Sequence, residues 1–132
     1  MTAPAYNFVK PADIITLTWA TTSPTMGQPV VKSKAKATGG GLVGVALNGT
    51  GVASESVEVA LEGMFNLEIV AGSAMKIGDT VFTSLTTGEE VCTSVLSDTN
   101  TGIPFGHLCE AITDASTVTR KVRLCQHTYL GA

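Results

Sequence analysis

The stretch that decides the fold is Val57-Glu58-Val59-Ala60-Leu61-Glu62-Gly63-Met64-Phe65-Asn66-Leu67-Glu68-Ile69. Its odd-numbered positions are apolar apart from one glycine, and most of its even-numbered positions are polar or charged. Strict alternation of this kind gives a β-strand one buried face and one wet face. The pattern therefore predicts a strand that covers a core.

Gly63 interrupts this pattern on the inward face. A glycine has no side chain to pack there, so it weakens a flat strand. We predict a sharp bend, a bulge or a barrel corner at Gly63, with the same face buried on both sides of it. The organising element is then either one bent strand or a tight hairpin.

The composition of the whole chain also favours strands. The chain has 132 residues, of which 14 are glycine, and 44% are hydrophobic while only 14% are charged. That mix is typical of strands joined by tight turns, and the length is sufficient for a real core. We predict an all-β fold, either a small β-barrel or a β-sandwich. Residues 1–12 hold two prolines and no periodic pattern, so we expect an extended N-terminal arm followed by a single β domain over residues 13–132.

A faint internal repeat relates the two halves of the chain. In order, Gly27–Ser33 resembles Gly78–Ser84, Leu42–Ala46 resembles Ile103–His107, and Val57–Leu61 resembles Val118–Val122. In each half, the pattern predicts a strand, a loop, a second strand, a turn and a third strand. One three-stranded unit could not bury its own face, but two units packed together can form a barrel or a sandwich. Chance similarity among valine- and glycine-rich strands is the alternative.

Charge and hydropathy exclude two classes of partner. The net charge is -3 at pH 7 and the isoelectric point is about 5.2, so there is no basic surface for nucleic acid. No apolar stretch approaches the roughly 20 residues that span a bilayer. Residues 1–5 lack the basic and apolar regions of a secretion signal. We expect neither nucleic acid nor a membrane as a partner.

The residues that could carry chemistry do not form a recognisable site. Gly39–Gly44 has the glycine spacing of a dinucleotide-binding loop, but a valine-rich strand follows it instead of a helix, which indicates a turn. His107 and Cys109 share one face of a predicted strand, so a small hydrolase with a Cys–His pair stays open. A polar residue beside a buried thiol is the simpler interpretation. We predict no catalytic residue, no metal site and no cofactor.

The three cysteines, Cys92, Cys109 and Cys125, are an odd number without the spacing of metal ligands. We predict buried, reduced thiols.

A row of lysines lies in the first half of the chain. Lys32, Lys34 and Lys36 place three ammonium groups on one side of an extended segment. Such a row is typical of an edge strand whose charges prevent pairing with another sheet. The alternative is that the row docks onto an acidic partner surface.

Several motifs follow one another in a recognisable order: Tyr6–Asp13, Gly27–Val31, Gly41–Ala46, Val59–Leu67, Ile77–Phe82, Gly102–Gly106 and Val122–Leu124. The most specific are Leu61–Leu67 and Ile77–Phe82. Over nearly the whole chain this order resembles the capsid decoration, or cement, proteins of tailed bacteriophages. That family consists of small β-rich domains formerly of unknown function, some of them mislabelled as recombinases. The segment Pro11-Ala12-Asp13 departs from the pattern, because a glycine is expected before the aspartate.

The resemblance implies a structural protein and no enzyme. Its partner would be the major capsid protein on the outer surface of the icosahedral head, where it would stabilise the junctions between capsomers after assembly in the host cytoplasm. A homotrimer would suit the local three-fold positions of such a shell. The alternative is a module of a head fibre, a tail or a host-binding surface. The residues predicted to bind the capsid are the two aromatics of the arm and the nearby lysines: Tyr6, Phe8, Lys10, Lys32, Lys34 and Lys36.

Deletion of residues 1–10 tests the predicted arm. We expect the truncated chain to keep its fold, because a proline- and aromatic-containing segment without periodicity contributes little to a core. Its binding to phage shells should weaken by at least about tenfold, equivalent to about 1.4 kcal/mol. Thermal unfolding and co-sedimentation with shells measure the two effects. A truncated chain that no longer unfolds cooperatively would contradict the prediction.

Overall fold

The regular secondary structure in the described part of the chain is entirely β. The computed structural model describes residues 14–19, 22–32, 34–35, 42–83, 87–88, 96–100 and 102–126. Within them the chain forms eleven strands and no helix. The strands are β1 (Ile14–Leu17), β2 (Pro29–Lys32), β3 (Lys34–Ala35), β4 (Leu42–Ala46), β5 (Val57–Ala60), β6 (Met64–Ala71), β7 (Thr80–Thr83), β8 (Thr87–Gly88), β9 (Leu96–Ser97), β10 (Pro104–Leu108) and β11 (Ser116–Leu124). The predicted all-β fold is confirmed.

These strands form a sheet and a barrel. The sheet is four-stranded, in the order β1-β5-β4-β2, and every pair in it is antiparallel. Strands β10, β11, β6, β9 and β7 close into a five-stranded barrel. The barrel's strand pairs are antiparallel except for the pairing of β6 with the short strand β9. Strands β3 and β8 form a separate two-stranded ladder.

Gly63 lies where the chain passes from the sheet to the barrel. Strand β5 pairs within the sheet and strand β6 pairs within the barrel, with only residues 61–63 between them. Gly63 has a φ of +126°, in the left-handed region that side chains of L-residues disfavour. The predicted bend is confirmed, and the hairpin alternative is wrong, because β5 and β6 pair with other strands and not with each other.

The bent run contributes to two hydrophobic cores. Before the bend, Val57, Val59 and Leu61 are buried in the core that the sheet covers. After the bend, Leu67 and Ile69 are buried inside the barrel. The odd-numbered positions thus face inward on both sides of Gly63. The bend redirects the strand and leaves the phase of the alternation unchanged.

The sheet separates the two cores and contributes to both. Val30 and Ala46 pack into the core that also holds β5, whereas Val31, Val43 and Val45 pack into the barrel core. Strand β4 is therefore buried on both faces and shows no alternation in burial. A continuous apolar run such as this one is the sequence typical of a strand covered on both sides.

Gln126 ties the end of the last barrel strand to the sheet. Its side-chain oxygen accepts a hydrogen bond from the backbone N–H of Val43 at 3.1 Å. Its side-chain nitrogen donates to the carbonyl of Val43 at 2.7 Å and to the carbonyl of Leu61 at 2.9 Å. Next to it, the N–H of Leu124 donates to the carbonyl of Gly63 at 2.9 Å. These contacts hold the bend between barrel and sheet in one conformation.

The predicted strand order of the repeat is present in both halves. Strand β4 lies between β2 and β5 in the sheet, as β10 lies between β7 and β11 in the barrel. The residue alignment needs a correction, however. The N–H of Gly27 donates to the carbonyl of Ala46, and the N–H of Gly78 donates to the carbonyl of Leu108. Ala46 therefore corresponds to Leu108 and not, as the sequence pattern indicated, to His107.

A β-bulge explains the shift. The ladder between β7 and β10 changes register between Pro104 and Gly106, and a bulge inserts one residue into one strand of a pair. In the third strands of the two units, β5 and β11, the alignment shifts by one further residue. Glu58 and Lys121 each accept a backbone hydrogen bond from the residue that follows the second strand, so Glu58 corresponds to Lys121 instead of Thr119.

Replacing Gly63 by alanine tests the bend. We expect the free energy of unfolding to fall by about 1–3 kcal/mol, because a non-glycine residue in this backbone conformation is strained. The added methyl group would also lie 3.2 Å from Cε2 of Phe65. Chemical denaturation measures the change.

Gly72→Ala is the matched control for this substitution. Its added methyl group would meet only the carboxylate oxygens of Asp98, at 3.6 Å, which is an ordinary contact distance. We expect a change within about 0.5 kcal/mol. Equal stability of the Gly63→Ala and Gly72→Ala proteins would contradict the role given to Gly63.

Candidate functional site

Lys32 lies at the edge of the sheet and already has partners within the protein. Among the described residues, strand β2 begins with Pro29 and pairs with β4 on one side only. The predicted edge strand is therefore confirmed for Lys32, whereas Lys34 lies in the separate strand β3, which pairs with β8. The ammonium group of Lys32 donates to the carbonyl of Thr18 at 2.6 Å. The same nitrogen lies 5.4 Å from the ring centroid of Trp19, a distance typical of a cation–π contact.

Trp19 connects this edge to the core of the sheet. Its side chain is completely buried, and its indole N–H donates to the carbonyl of Val31 at 3.1 Å. A buried indole needs such an acceptor, because an unpaired N–H would lose its hydrogen bond to water without compensation. The ring thus packs in the core while the ammonium group of Lys32 lies over it. We infer that Lys32 stabilises the sheet.

The other predicted capsid-binding residues are not brought together by the described structure. Lys34 lies in β3, and its backbone pairs with β8. Its side chain, together with Tyr6, Phe8, Lys10 and Lys36, lies outside the described parts of the chain. The assignment of these residues to a binding surface stays a prediction.

The thiol of Cys109 contacts the polypeptide backbone. Its sulfur lies 3.7 Å from the carbonyl oxygen of His107. A Cys–His nucleophile needs instead a thiol in hydrogen-bond contact with the imidazole of the histidine. Cys92 and His127 lie outside the described residues. Nothing in the described geometry of Cys109 supports the hydrolase alternative.

The prediction that the cysteines are buried is wrong for two of them. The side chains of Cys109 and Cys125 are partly exposed. Each follows directly after a buried leucine that ends a barrel strand, so the alternation places it on the outer face. Among the described residues, no group of three or more His, Cys, Asp or Glu side chains could hold a metal ion. No helix in the same residues is long and apolar enough to cross a membrane.

Exposed apolar side chains are the surface feature that the sequence patterns missed. They are Ile14, Met26, Val52, Met64, Val70 and Ile77. The two most exposed of these are Met26, at 73%, and Ile77, at 69%. Each stands directly before a glycine at the tip of a turn. The signal was present in the sequence, because Met26 and Ile77 stand directly before the first pair of repeated segments, Gly27–Ser33 and Gly78–Ser84.

Comparison with protein families identifies the relatives of this chain. A family model described as phage cement protein matches residues 9–124. The matched span contains every strand of the sheet and of the barrel. The chain belongs to the phage cement protein family. A comparison with curated proteins finds no match.

Membership in the phage cement family gives the coarse function. Phage cement proteins are structural proteins, so a capsid-associated role in the virion follows for this chain. The resemblance read from the sequence motifs is confirmed. A cement protein acts through surfaces that contact other proteins. Two surfaces of interest lie in the described residues: the edge of the sheet that carries Lys32, and the apolar turn tips formed by Met26 and Ile77.

Replacing Lys32 by methionine separates its intramolecular role from a binding role. Methionine keeps most of the aliphatic length but removes the ammonium group, so the hydrogen bond to Thr18 and the cation–π contact are lost. We expect the free energy of unfolding to fall by about 1 kcal/mol. Binding to phage shells should stay unchanged.

Lys121→Met is the control, because within the described parts of the chain the ammonium group of Lys121 makes only an exposed ion pair with Glu110, at 3.9 Å. Such pairs contribute little, and the expected change is at most about 0.5 kcal/mol. Urea unfolding measures both variants. A Lys32→Met protein of full stability but weakened shell binding would contradict the intramolecular role and support the capsid contact predicted from the sequence.

Proposed function

We propose that this cement protein binds the outer surface of the icosahedral head and stabilises the junctions between capsomers. The observation that carries the proposal is the match to the phage cement family over residues 9–124. Because this match includes both cores, the similarity extends over the structural body of the chain. The direct partner in this proposal is the major capsid protein.

Stabilisation of the shell follows from mass action. A protein that binds the assembled shell but not its dissociated subunits lowers the free energy of the assembled state alone. The gain is RT ln(1 + [L]/Kd) for each independent site, or about 2.7 kcal/mol when the free concentration is 100 times Kd. Summed over many sites, modest affinities are enough. No chemical step is required.

The described body is suited to such a role because its binding surfaces are held by tightly packed strands. Two cores share one sheet, and Gln126 fixes the connection between them. Among the described residues, no buried side-chain nitrogen or oxygen lacks a hydrogen-bond partner. A surface that is already ordered before binding loses little conformational entropy when it binds. Rigidity of this kind raises the affinity that a given contact area provides.

Self-association would raise the affinity for the shell further. Closed cyclic symmetry is the usual arrangement of homo-oligomers, and a trimer would match the local three-fold positions of an icosahedral shell. Three linked copies can exceed the affinity of one copy by roughly 10²–10⁴ without a new type of contact. We include the homotrimer in the proposal, with residues 1–12 as an arm and residues 13–132 as one β domain.

Within this proposal the arm and the lysines supply additional contacts. Tyr6 and Phe8 would anchor the arm by apolar contacts, and Lys10, Lys34 and Lys36 would face acidic groups of the capsid. The contribution of exposed charges is screened by salt. Lys32 is assigned to the protein's own sheet, because its ammonium group contacts Thr18 and Trp19.

Thermal disassembly of shells tests the stabilising function. Purified expanded shells that lack the protein are incubated with increasing concentrations of it, and their disassembly temperature is followed by light scattering. We expect the protein to co-sediment with the shells at micromolar concentration and the disassembly temperature to rise with its free concentration.

Absence of co-sedimentation at micromolar concentration would contradict the proposal. Imaging of labelled protein on virions then distinguishes the alternative: a regular lattice over the head supports decoration, whereas label confined to the tail or to fibres would support a tail or host-binding module.

A further inference from the structure

The two most exposed apolar side chains occupy equivalent places in two matching turns. The first turn is Thr25-Met26-Gly27-Gln28 and the second is Lys76-Ile77-Gly78-Asp79. In each, the N–H of the fourth residue donates to the carbonyl of the first, at 3.2 Å and 3.0 Å respectively. The glycines have φ values of +86° and +97°. A positive φ at the third position alone is the pattern of a type II turn.

The surroundings of the two turns match as well. The side chain of the fourth residue accepts a hydrogen bond from the N–H of the first, from Gln28 in one turn and from Asp79 in the other. Each turn is then joined to the end of the second strand of its unit by two backbone hydrogen bonds. These bonds link residues 27 and 28 to Ala46, and residues 78 and 79 to Leu108. The two tips are thus the same structural element, present twice.

The fold gives no internal reason for an apolar residue at these tips. The second position of a type II turn accepts most residues and favours proline. Met26 and Ile77 are exposed by 73% and 69%, so neither contributes much to a core. Single exposed apolar side chains are common on protein surfaces. The same choice at one position of two equivalent turns is a more specific pattern.

The two tips are attached to different parts of the fold. The first turn is bonded to the end of β4, which lies in the four-stranded sheet. The second turn is bonded to the end of β10, which lies in the barrel. Two equivalent tips on different parts of the fold fit two equivalent recesses better than one.

Charge indicates the chemistry of those recesses. Residues 25–28 carry no charge, and in the second turn the ammonium of Lys76 and the carboxylate of Asp79 cancel. The four residues of each turn are therefore electrically neutral overall, with one apolar side chain at the apex. A neutral apolar recess complements them, whereas an acidic or basic surface gains nothing from either.

We propose that Met26 and Ile77 insert into the same apolar recess on two neighbouring copies of the capsid subunit, so that one cement protein bridges two subunits. This inference rests on the proposed function, because it names the surface with which the protein holds the shell. A duplicated unit that presents one element twice is the arrangement expected for a partner that is itself repeated. Simultaneous contact with two subunits also explains how binding would resist their separation.

Glutamine substitutions at the two tips test the proposal in the full chain. Met26→Gln and Ile77→Gln should each weaken binding to undecorated shells by about 10- to 100-fold, the effect of exposing one large apolar side chain. The double variant should lose roughly the product of the two factors if the contacts are independent. Thermal unfolding should be unchanged in all three. Met26→Leu and Ile77→Leu should bind as the unaltered chain does.

Met64→Gln is the matched control, because Met64 is 54% exposed on strand β6 and lies outside both turns. It should bind normally, and an equal loss in this variant would overturn the assignment to the turns. If only one of the two tip variants lost affinity for shells, the proposal that the protein bridges two subunits would be wrong. A changed subunit number of the free protein, with shell binding retained, would show contacts between copies of this chain and overturn the proposal.

The inference and the proposed function fail in different ways. If the unaltered chain binds shells and both tip variants bind equally well, the inference is wrong and the proposed function stands. If the unaltered chain does not bind shells at all, the proposed function itself is wrong. Quantitative co-sedimentation with the same shell preparation gives both results.

Discussion

Gly63, whose backbone conformation is left-handed, allows one continuous run of chain to contribute to two hydrophobic cores. The run from Val57 to Ala71 leaves the sheet and enters the barrel within three residues, and only Gly63 in that interval has a positive φ. Its inward-facing positions stay in phase across the bend, so valines before it pack in one core and leucine and isoleucine after it pack in the other. Any loss of that phase would expose the apolar face of one half. The rest of the architecture depends on this connection.

The strong patterns in the sequence were sufficient to predict the strands and the bend. Alternation over Val57–Ile69 identified the buried face, and a glycine on that face identified the corner. The row of lysines that begins at Lys32 indicated an edge strand, because its charges discourage further pairing. Each of these signals is local, since it depends on the residue types within a few positions of one another.

What could not be predicted depends on contacts between distant segments. Strand β9 has only two residues and pairs parallel to β6, and no alternation can be read from two residues. The one-residue shift in the repeat arises from a bulge, which adds a residue without a distinctive sequence. The lysine row was assigned a surface role, but the place of Lys32 over Trp19 depends on how β2 packs against the segment after β1.

Binding without chemistry requires a surface that is presented in a fixed geometry. The cement protein meets this requirement with strands that share buried faces and with turns whose ends are fixed by matched hydrogen bonds. Duplication of the strand–strand–strand unit supplies a packed body and, at the same time, two copies of one turn. The internal repeat would then have a structural consequence, the second core, and a functional one, a second point of attachment.

Reconstruction of the virion by electron cryo-microscopy is the most direct test. At a resolution that traces the chain, we expect the bent two-core body on the outside of the head, at the junctions between capsomers, with the two turn tips on neighbouring capsid subunits. A head without this body, or the body located only on the tail or fibres, would contradict that expectation.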